Sequence, residues 1–514
     1  MKKIRFIWLF LLILSIFVTG CKIKTNNNKP VVDFPEVDGD QSGEVEEKPK
    51  EDEEIVPPKQ DENSGDSNEM TDEEFEEWLN NKIKEEQEGL SVVIEKIKPI
   101  IPDEINQNIT LPVEYIVNKI KYTIIWGSSD YESFSSKGEY SMPAKDKVIT
   151  ITALVRSEYS EEVFSKEVFI KGYGEIVMKP LDTSKKLVFA YLRDSTFSTF
   201  TSADIEQIDV INYCFAPISQ GKISVSGLSR INEILKVRRE GVRVVLSLGG
   251  GHSLGFGPAC STKEKRQILI DSIMKVIKEY EFDGVDFDWE YPGWSGLEDS
   301  TPNDKYNFTL LCKELRQAFD EYKEGLLITA AVIGGLTASS LSSFYDVANL
   351  NLYLDYFHVM TYDQNINGKA THNSNLFSSS TCPYSGDKAM KAWVAAGASK
   401  DKLILGAAFY GKIMTFTSAD KTIGSNTSGV SSISYDAIMA NYFNKNGFVE
   451  YYDEETQSYY LKNNTTFITY ENKKSILNKC EYVINNGYGG MMFWEYGLDD
   501  TKTLLNAMYE GFKK

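Results

Sequence analysis

The segment FDGVDFDWE, which ends at Glu290, carries the residues best suited to do chemistry. Its acids Asp286, Asp288 and Glu290 alternate with Phe287 and Trp289, so an extended strand places the acids on one face and the rings on the other. Three carboxyls this close repel one another, and at least one should keep its proton near neutral pH. A protonated carboxyl beside ionised ones is the arrangement used in general acid catalysis. The flanking rings argue against a solvated acidic strand, whereas a Ca²⁺ site stays an alternative.

The rest of the sequence offers no metal or cofactor motif. Its three histidines, His252, His358 and His372, lack the spacing of metal ligands, so we expect no zinc site. There is no GxxxxGK(S/T) phosphate-binding loop, and the three glycines from Gly249 to Gly251 do not complete a dinucleotide fingerprint. We therefore expect chemistry that uses neither a metal ion nor a cofactor.

Short apolar runs alternate with amphipathic helical stretches over residues 185–514. Eight such runs separated by helices predict an α/β fold, a TIM (β/α)8 barrel. The predicted strands are Leu187–Leu192, Val210–Ala216, Val242–Gly249, Phe282–Glu290, Leu326–Val332, Tyr356–Tyr362, Leu403–Tyr410 and Gly489–Trp494. A β-leaning segment at about 411–480 predicts a small α+β insertion between strands 7 and 8. Most polar candidates stand at the C-terminal ends of these strands, where barrel enzymes place their active sites.

Four motifs in this region resemble those of glycoside hydrolase family 18, the chitinase family. The signature DGxDxDWE is matched from Asp283 to Glu290, SxGG from Ser247 to Gly250, and MxYD from Met360 to Asp363. Trp494, near the end of the last predicted strand, matches a tryptophan of the family. The motifs occur in the family's order, each at a predicted strand end, which makes the match specific for the barrel region.

The resemblance implies substrate-assisted retaining catalysis, in which the acetamido oxygen of the sugar attacks the anomeric carbon. Glu290 would protonate the leaving oxygen and later activate water. Asp288 would orient the acetamido N–H and stabilise the developing positive charge, and Asp286 would share a proton with Asp288. Tyr362 would donate its hydroxyl to the acetamido oxygen.

The resemblance also implies a set of substrate-binding residues around these four. Asp363 would help bind the distorted sugar, and Trp494 would form the apolar floor under its ring. Ser247 and Tyr191 would hydrogen-bond the inner aspartate, although a backbone-satisfied hydroxyl and simple packing are the alternatives for them. Met360 joins the set through the MxYD motif.

The N-terminus has the pattern of an exported lipoprotein. The basic start MKKIR precedes an apolar run from Phe6 to Val18, which is too short for a stable membrane anchor. The run ends in VTGC, which resembles the lipobox of bacterial lipoproteins, so residues 1–20 are predicted to be a signal peptide and Cys21 to be lipidated. This predicts an extracellular catalytic domain anchored to the outer face of a bacterial cell membrane; an uncleaved signal anchor is the alternative.

Three segments separate the lipobox from the barrel. Residues 21–69 are rich in Asn, Asp, Glu, Lys, Pro and Ser, which predicts a disordered acidic tether. A capping box at Thr71 precedes apolar residues at helical spacing, which predicts a short amphipathic helix over 70–90. The β-rich runs in 91–176 resemble a bacterial Ig-like β-sandwich module, an all-β domain with Trp126 as its core residue.

Charge and cysteine content limit the class of partner. The net charge of −20 and the pI of about 4.8 leave no basic surface for phosphates, so we expect no nucleic-acid partner. Of the six cysteines, those after Cys21 are scattered without a disulfide spacing, so we expect mostly buried thiols. We expect a monomer.

Three functions are compatible with these patterns. The first is a surface-tethered hydrolase of β-1,4-linked N-acetylglucosamine polymers or oligomers, meaning chitin or a close relative. The second keeps the chemistry and changes the substrate, as in an endo-β-N-acetylglucosaminidase acting on N-glycans or an enzyme acting on cell-wall glycans. The third is a non-catalytic carbohydrate-binding surface protein, which the retention of Asp288, Glu290 and Tyr362 argues against.

Overall fold

The structure is a computed structural model, and the residues it describes are 71–143, 145–174, 178 and 180–513. The predicted signal peptide, the lipidated Cys21 and the predicted tether all fall within residues 1–70 and lie outside the described part. The chain divides into two compact units after Glu85. None of the described helices is long and apolar enough to cross a membrane.

The first helix, α1 (Asp72–Ile97), begins at the predicted capping box. The Glu74 N–H donates to Thr71 Oγ1 over 3.2 Å, and the Thr71 N–H donates to Glu74 Oε2 over 2.9 Å. The helix runs past its predicted end at residue 90 because apolar side chains continue at helical spacing. The buried residues that extend it are Leu90, Val93, Ile94 and Ile97.

The next strands are β1 (Glu104–Ile105), β2 (Glu114–Val117), β3 (Ile120–Ser128), β4 (Lys147–Arg156) and β5 (Glu161–Ile170). They form one sheet in the order β1-β5-β4-β3-β2, antiparallel except for the β1–β5 pair. Trp126 packs in the core between this sheet and α1, and its indole N–H donates to Pro112 O over 2.8 Å. The predicted Ig-like sandwich is not confirmed, because within the described residues a helix, and not a second sheet, covers the buried face.

A closed barrel of eight parallel strands follows, which confirms the predicted TIM barrel. Its first seven strands are β6 (Leu187–Arg193), β7 (Val210–Ala216), β8 (Arg243–Gly249), β9 (Gly284–Asp288), β10 (Leu327–Ile333), β11 (Tyr356–Met360) and β12 (Leu403–Ala408). Their bounds differ from the predicted ones by a few residues. The apolar pattern predicts that a strand is present, but it does not fix the residue at which the strand begins or ends.

Ten further helices are described. They are α2 (Ile231–Leu235), α3 (Phe256–Cys260), α4 (Lys263–Tyr280), α5 (Asp304–Tyr322), α6 (Ala338–Leu341), α7 (Val347–Tyr353), α8 (Gly386–Ala396), α9 (Tyr435–Asn441), α10 (Lys473–Asn486) and α11 (Thr503–Lys513). Short 3-10 helices span Lys98–Ile100, Asp194–Thr199, Ser202–Gln207, Lys236–Glu240, Lys400–Lys402 and Tyr496–Leu498, and a small hairpin pairs Ile218–Ser219 with Lys222–Ile223. All five cysteines after Cys21 are buried and free.

An antiparallel sheet stands between the seventh and eighth barrel strands, where the insertion was predicted. Its strands are β13 (Tyr410–Phe416), β14 (Thr427–Ser434), β15 (Val449–Asp453), β16 (Ser458–Lys462) and β17 (Thr466–Tyr470), in the order β14-β13-β17-β16-β15, with α9 beside them. The last strand, β18 (Gly490–Trp494), pairs with both β12 and β6 and closes the barrel.

The β1–β5 sheet touches the barrel through polar contacts. Lys145 Nζ lies 3.1 Å from the Glu281 carboxylate, and Asn232 Nδ2 donates to the Glu132 carbonyl over 3.0 Å. The Glu132 carboxyl is partly buried at this contact, and burial raises its pKa to about 7, although a hydrogen bond from Tyr280 opposes the rise. A titratable group therefore lies where the two layers meet.

Candidate active site

The acidic row points into the barrel, and the rings between the acids point outward. Trp289 stacks on Phe256 of α3 with ring centroids 4.9 Å apart and planes 8° apart. It also meets Phe308 of α5 edge-on at 5.7 Å. Phe287 belongs to the same core outside the barrel. The alternation predicted for this strand is therefore present, and it fixes the direction of every acid on β9.

The start of the motif is structural. The Asp283 carboxylate accepts two hydrogen bonds from Arg238, at 2.9 and 2.8 Å, and a third from the Val244 N–H at 2.9 Å. Gly284 has a φ of +147°, and a Cβ there would lie 2.1 Å from Leu327 O. Asp283 and Gly284 thus anchor the strand that presents the catalytic candidates.

Asp286 lies deepest in the row and is fully buried. Its Oδ2 accepts hydrogen bonds from Tyr191 at 3.0 Å and Ser247 at 2.7 Å, and its Oδ1 accepts one from Thr329 at 2.6 Å. His358 Nδ1 lies 3.4 Å from Oδ1. Burial by itself would raise the pKa of Asp286, but hydrogen bonding and attraction from His358, with the bonds from Thr329 and Ser247, outweigh it and hold the pKa below its usual range.

Asp288 and Glu290 form a hydrogen-bonded pair above Asp286. Burial, together with repulsion from Glu290 and Asp286, raises the pKa of Asp288 well above its usual range. Burial also raises the pKa of Glu290, although the hydrogen bond with Asp288 and the charge of His252 oppose the rise. The structure pairs Asp288 with Glu290, and the donors around Asp286 lower the pKa of that carboxyl, so the predicted sharing of a proton between Asp286 and Asp288 stays a prediction.

A cavity of about 730 Å³ opens at the C-terminal ends of the barrel strands, a size usual for a small-ligand site. The predicted site residues that line it are Tyr191, Asp288, Glu290, Met360, Tyr362, Asp363 and Trp494. Asp286 and Ser247 lie beneath its floor, both fully buried. The structure therefore brings all the predicted barrel residues together, seven around the cavity and two below it.

Glycines let the SxGG loop approach the acids. Gly249 has a φ of +100°, and a Cβ there would lie 2.6 Å from Asp288 O and 2.6 Å from the Phe256 ring. Gly250 has a φ of +104° and faces Phe215 at 3.0 Å. Both positions are in the left-handed region and leave no room for a side chain, which explains why two glycines follow Ser247.

Two aromatic residues shape the floor and wall of the cavity. Trp494, at the end of β18, stacks on Phe215 with centroids 5.6 Å apart and planes 21° apart, and its ring lies 5.7 Å from that of Tyr191. The Tyr362 ring meets Tyr410 edge-on at 6.1 Å. Burial raises the pKa of Tyr362 well above its usual range, so its hydroxyl remains a neutral donor at ordinary pH.

Sequence reasoning missed the residues of the insertion that fix Asp363. The Tyr410 hydroxyl donates to Asp363 Oδ1 over 2.8 Å, and Lys412 Nζ lies 2.6 Å from the same oxygen. Asp363 has a φ of +56°, and its N–H donates to Asn373 Oδ1 over 3.1 Å. The one signal in the sequence was the position of Tyr410 and Lys412 just after a barrel strand.

Gln364 is a second residue that sequence reasoning missed. It lines the cavity, only 7% of its surface is exposed, and neither amide atom has a hydrogen-bond partner among the described residues. Asp288 Oδ1 is unpaired in the same way. Buried polar atoms are normally satisfied, so unpaired ones on residues that line a cavity indicate places for polar groups of a ligand.

The family model for glycosyl hydrolases family 18 matches residues 187–499, which is more than half of the chain. The chain belongs to this family. Chitinase A1 of Niallia circulans is 30% identical over 312 residues, which cover 54% of this chain and 44% of that protein. A probable endochitinase of Caenorhabditis elegans is 32% identical over 298 residues, covering 53% of this chain and 46% of that protein. The chain thus spans less than half the length of these two relatives.

Two solved structures share the barrel fold. The family 18 N-acetylglucosaminidase of Paenibacillus barengoltzii superposes with a TM-score of 0.60 at 32% identity, over 64% of this chain and 100% of that one. Human YKL-39, a pseudo-chitinase with retained chitooligosaccharide binding, superposes with a TM-score of 0.56 at 24% identity, over 63% of this chain and 99% of that one. At that identity the second likeness shows the fold alone.

Proposed function

We propose that the barrel hydrolyses β-1,4-linked N-acetylglucosamine polymers or oligomers, chitin or a close relative, with the sugar's own acetamido group as nucleophile. The observation that carries this proposal is the Asp288–Glu290 pair on the floor of the cavity. It combines a carboxyl whose pKa burial and repulsion raise well above its usual range with one oxygen, Asp288 Oδ1, that has no partner among the described residues. Such an oxygen suits the acetamido N–H of a bound sugar.

The proposed reaction has two displacements at the same carbon. In the first, the acetamido oxygen attacks the anomeric carbon while the glycosidic bond breaks, and the leaving oxygen takes the proton of Glu290. Asp288 holds the acetamido N–H, and Tyr362 donates to the acetamido oxygen. In the second, water attacks the anomeric carbon of the oxazolinium, Glu290 takes the proton of that water, and the bond to the acetamido oxygen breaks. Two inversions give overall retention.

The first experiment separates turnover from mere binding, because the pseudo-chitinase YKL-39 has the same fold. Glu290→Gln keeps the shape of the side chain and removes its proton chemistry, so kcat on chito-oligosaccharides should fall at least about 100-fold. The exposed Glu321→Gln is the matched control and should behave as wild type. A Glu290→Gln variant that retains near-normal kcat and a normal melting temperature would refute the assignment of the acid.

The names of relatives support N-acetylglucosamine as the substrate unit, since they include chitinases and an N-acetylglucosaminidase. Mass spectrometry of products from GlcNAc oligomers, a glycoprotein and a cell-wall glycan tests this choice. Fastest release from the GlcNAc oligomers supports the proposal. Fastest release from the N-glycan core or from the cell-wall glycan reassigns the substrate and leaves the chemistry unchanged.

The same proposal places the enzyme on the outer face of a bacterial membrane, tethered through lipidated Cys21. Its support is the lipobox-like VTGC after the apolar run. Labelling of growing cells with an alkyne fatty acid should mark the wild-type protein and leave Cys21→Ser unmarked. Wild-type protein that carries no label and is found in the medium would overturn this part of the proposal.

A further inference from the structure

His358 lies directly beneath the acidic row and has no role in the reaction above. It belongs to β11 and is fully buried inside the barrel. Its Nδ1 lies 3.4 Å from Asp286 Oδ1, 2.9 Å from the Tyr191 hydroxyl oxygen and 3.2 Å from Asn212 Nδ2. The ring packs on Phe189 with centroids 4.6 Å apart. An imidazole thus faces the anion at the base of the site.

The hydrogen-bond partners of the two ring nitrogens of His358 indicate which nitrogen carries the proton. Nε2 has no partner among the described residues, and neither has Asn212 Oδ1. A proton on Nε2 would be buried without an acceptor, which is unfavourable. A proton on Nδ1 faces Asp286 Oδ1 and the Tyr191 hydroxyl oxygen, and a turned Asn212 amide offers its oxygen as well. The geometry therefore favours Nδ1–H.

His358 differs from the other donors around Asp286 because it alone is an imidazole. The other donors are the hydroxyls of Ser247, Thr329 and Tyr191. The titratable groups that face His358 are Tyr191 on β6 and Asp286 on β9, with Asp288 next along the same face of β9. The neighbours from the other strands are uncharged: Phe189 on β6, Asn212 on β7, Ala331 on β10 and Ile404 on β12.

We propose that His358 is a positioning residue that keeps Asp286 ionised, so that the proton of the acidic row stays on the Asp288–Glu290 pair. This inference rests on the proposed function and deepens it. Without the imidazole, Asp286 keeps only hydroxyl donors and takes up a proton at higher pH. A neutral Asp286 no longer repels charge on Asp288, and the pair then holds the catalytic proton less firmly.

Kinetics on chito-oligosaccharides test the consequence. His358→Leu should move the acid limb of the kcat profile about one pH unit upward and lower kcat about tenfold, with KM nearly unchanged. His358→Asn places an amide N–H near the position of Nδ1 and should restore the limb. A His358→Leu variant that folds and keeps the acid limb of the wild-type kcat profile overturns the inference. The inference also fails if His358→Leu and His358→Asn differ from wild type only in melting temperature.

A second measurement needs no substrate and no variant activity. The chain has only three histidines, so ¹⁵N NMR of the labelled full chain resolves His358, with His358→Asn for assignment. We expect Nδ1 of His358 to carry a proton. The Nε2–H form would overturn the inference. The NMR measurement does not depend on turnover. If the wild-type protein cleaves no chito-oligosaccharide, the proposed function is refuted, and the NMR result still tests the position of the proton on His358.

Discussion

The Asp288 carboxyl bonds Glu290 through one oxygen and leaves the other, Oδ1, without a partner among the described residues. The two carboxyls therefore act as one unit that lines the cavity and has an unpaired acceptor oxygen. A proton held by this unit is available to a leaving group at pH values where an isolated carboxyl would be ionised, because burial and mutual repulsion raise the pKa of Asp288. Under the proposed function, this relationship would supply a general acid near neutral pH.

Replacing Asp288 by Asn should show both parts of this relationship. The amide donates to Glu290 permanently and stabilises its ionised form, so the alkaline limb of the kcat profile should move to lower pH. The amide also carries no negative charge for the oxazolinium, so kcat should fall about 100-fold or more. Asp320→Asn on the exposed face of α5 is the control. An unchanged alkaline limb would contradict the assigned pairing.

Tyr362 should act in the transition state more than in substrate binding. Its hydroxyl is a neutral donor because burial raises its pKa well above the usual range. Tyr362→Phe should lower kcat about 100-fold with a small change in KM, as expected for the loss of a group that holds the acetamido oxygen in position for attack. The exposed Tyr306→Phe should leave both constants unchanged. A large rise in KM with normal kcat would place Tyr362 in ground-state binding instead.

Gln364 should contribute to substrate affinity. Its buried amide lines the cavity without partners in the described part of the chain, so a polar group of the sugar is expected to pair with it. Gln364→Leu should raise KM by roughly 3- to 10-fold with kcat nearly unchanged, the usual effect of one or two neutral hydrogen bonds. The exposed Gln317→Leu on α5 is the control. An unchanged KM would show that the amide finds its partners within the protein.

The Glu132 carboxyl should make stability depend on pH. Its pKa rises from 4.5 to about 7 in the folded protein through burial, so the folded state binds more protons than the unfolded state within that window. Stability is then highest below about pH 4.5 for this group and falls as pH rises toward about 7, by at most about 3 kcal/mol.

Thermal melts compare this group with a neutral replacement. Glu132→Gln should melt like wild type near pH 5 and above wild type at pH 8, because the amide needs no deprotonation inside the contact between sheet and barrel. Glu321→Gln should follow wild type throughout. Equal melting temperatures of Glu132→Gln and wild type at both pH values would show that burial does not raise the pKa of Glu132 in the folded protein.

The parts of this molecule that follow from local pattern were predictable. The alternation of Asp286, Phe287 and Asp288 needs only a strand, and the strand ends at which the motifs stand need only the barrel order. Apolar residues at helical spacing also continued to Ile97, so the full length of α1 was readable from the sequence. The Ig-like module predicted from the strand-like runs that follow is not confirmed.

The parts that depend on distant residues were not predictable. His358 meets Asp286 across the barrel, and Lys412 reaches Asp363 from an inserted sheet, so neither pairing leaves a local trace. The hydrogen bonds of Asp286 also depend on residues that are distant in the sequence. Four groups from four strands keep Asp286 ionised, and only the folded barrel assembles them.

The stereochemistry of the product tests substrate assistance most directly. Proton NMR of freshly cleaved GlcNAc oligomers reads the anomer at the new reducing end before it equilibrates. Attack by the acetamido oxygen followed by water predicts that the β-anomer appears first. Initial formation of the α-anomer would show a single displacement by water and would contradict the account of Asp288, Glu290 and the sugar's own amide.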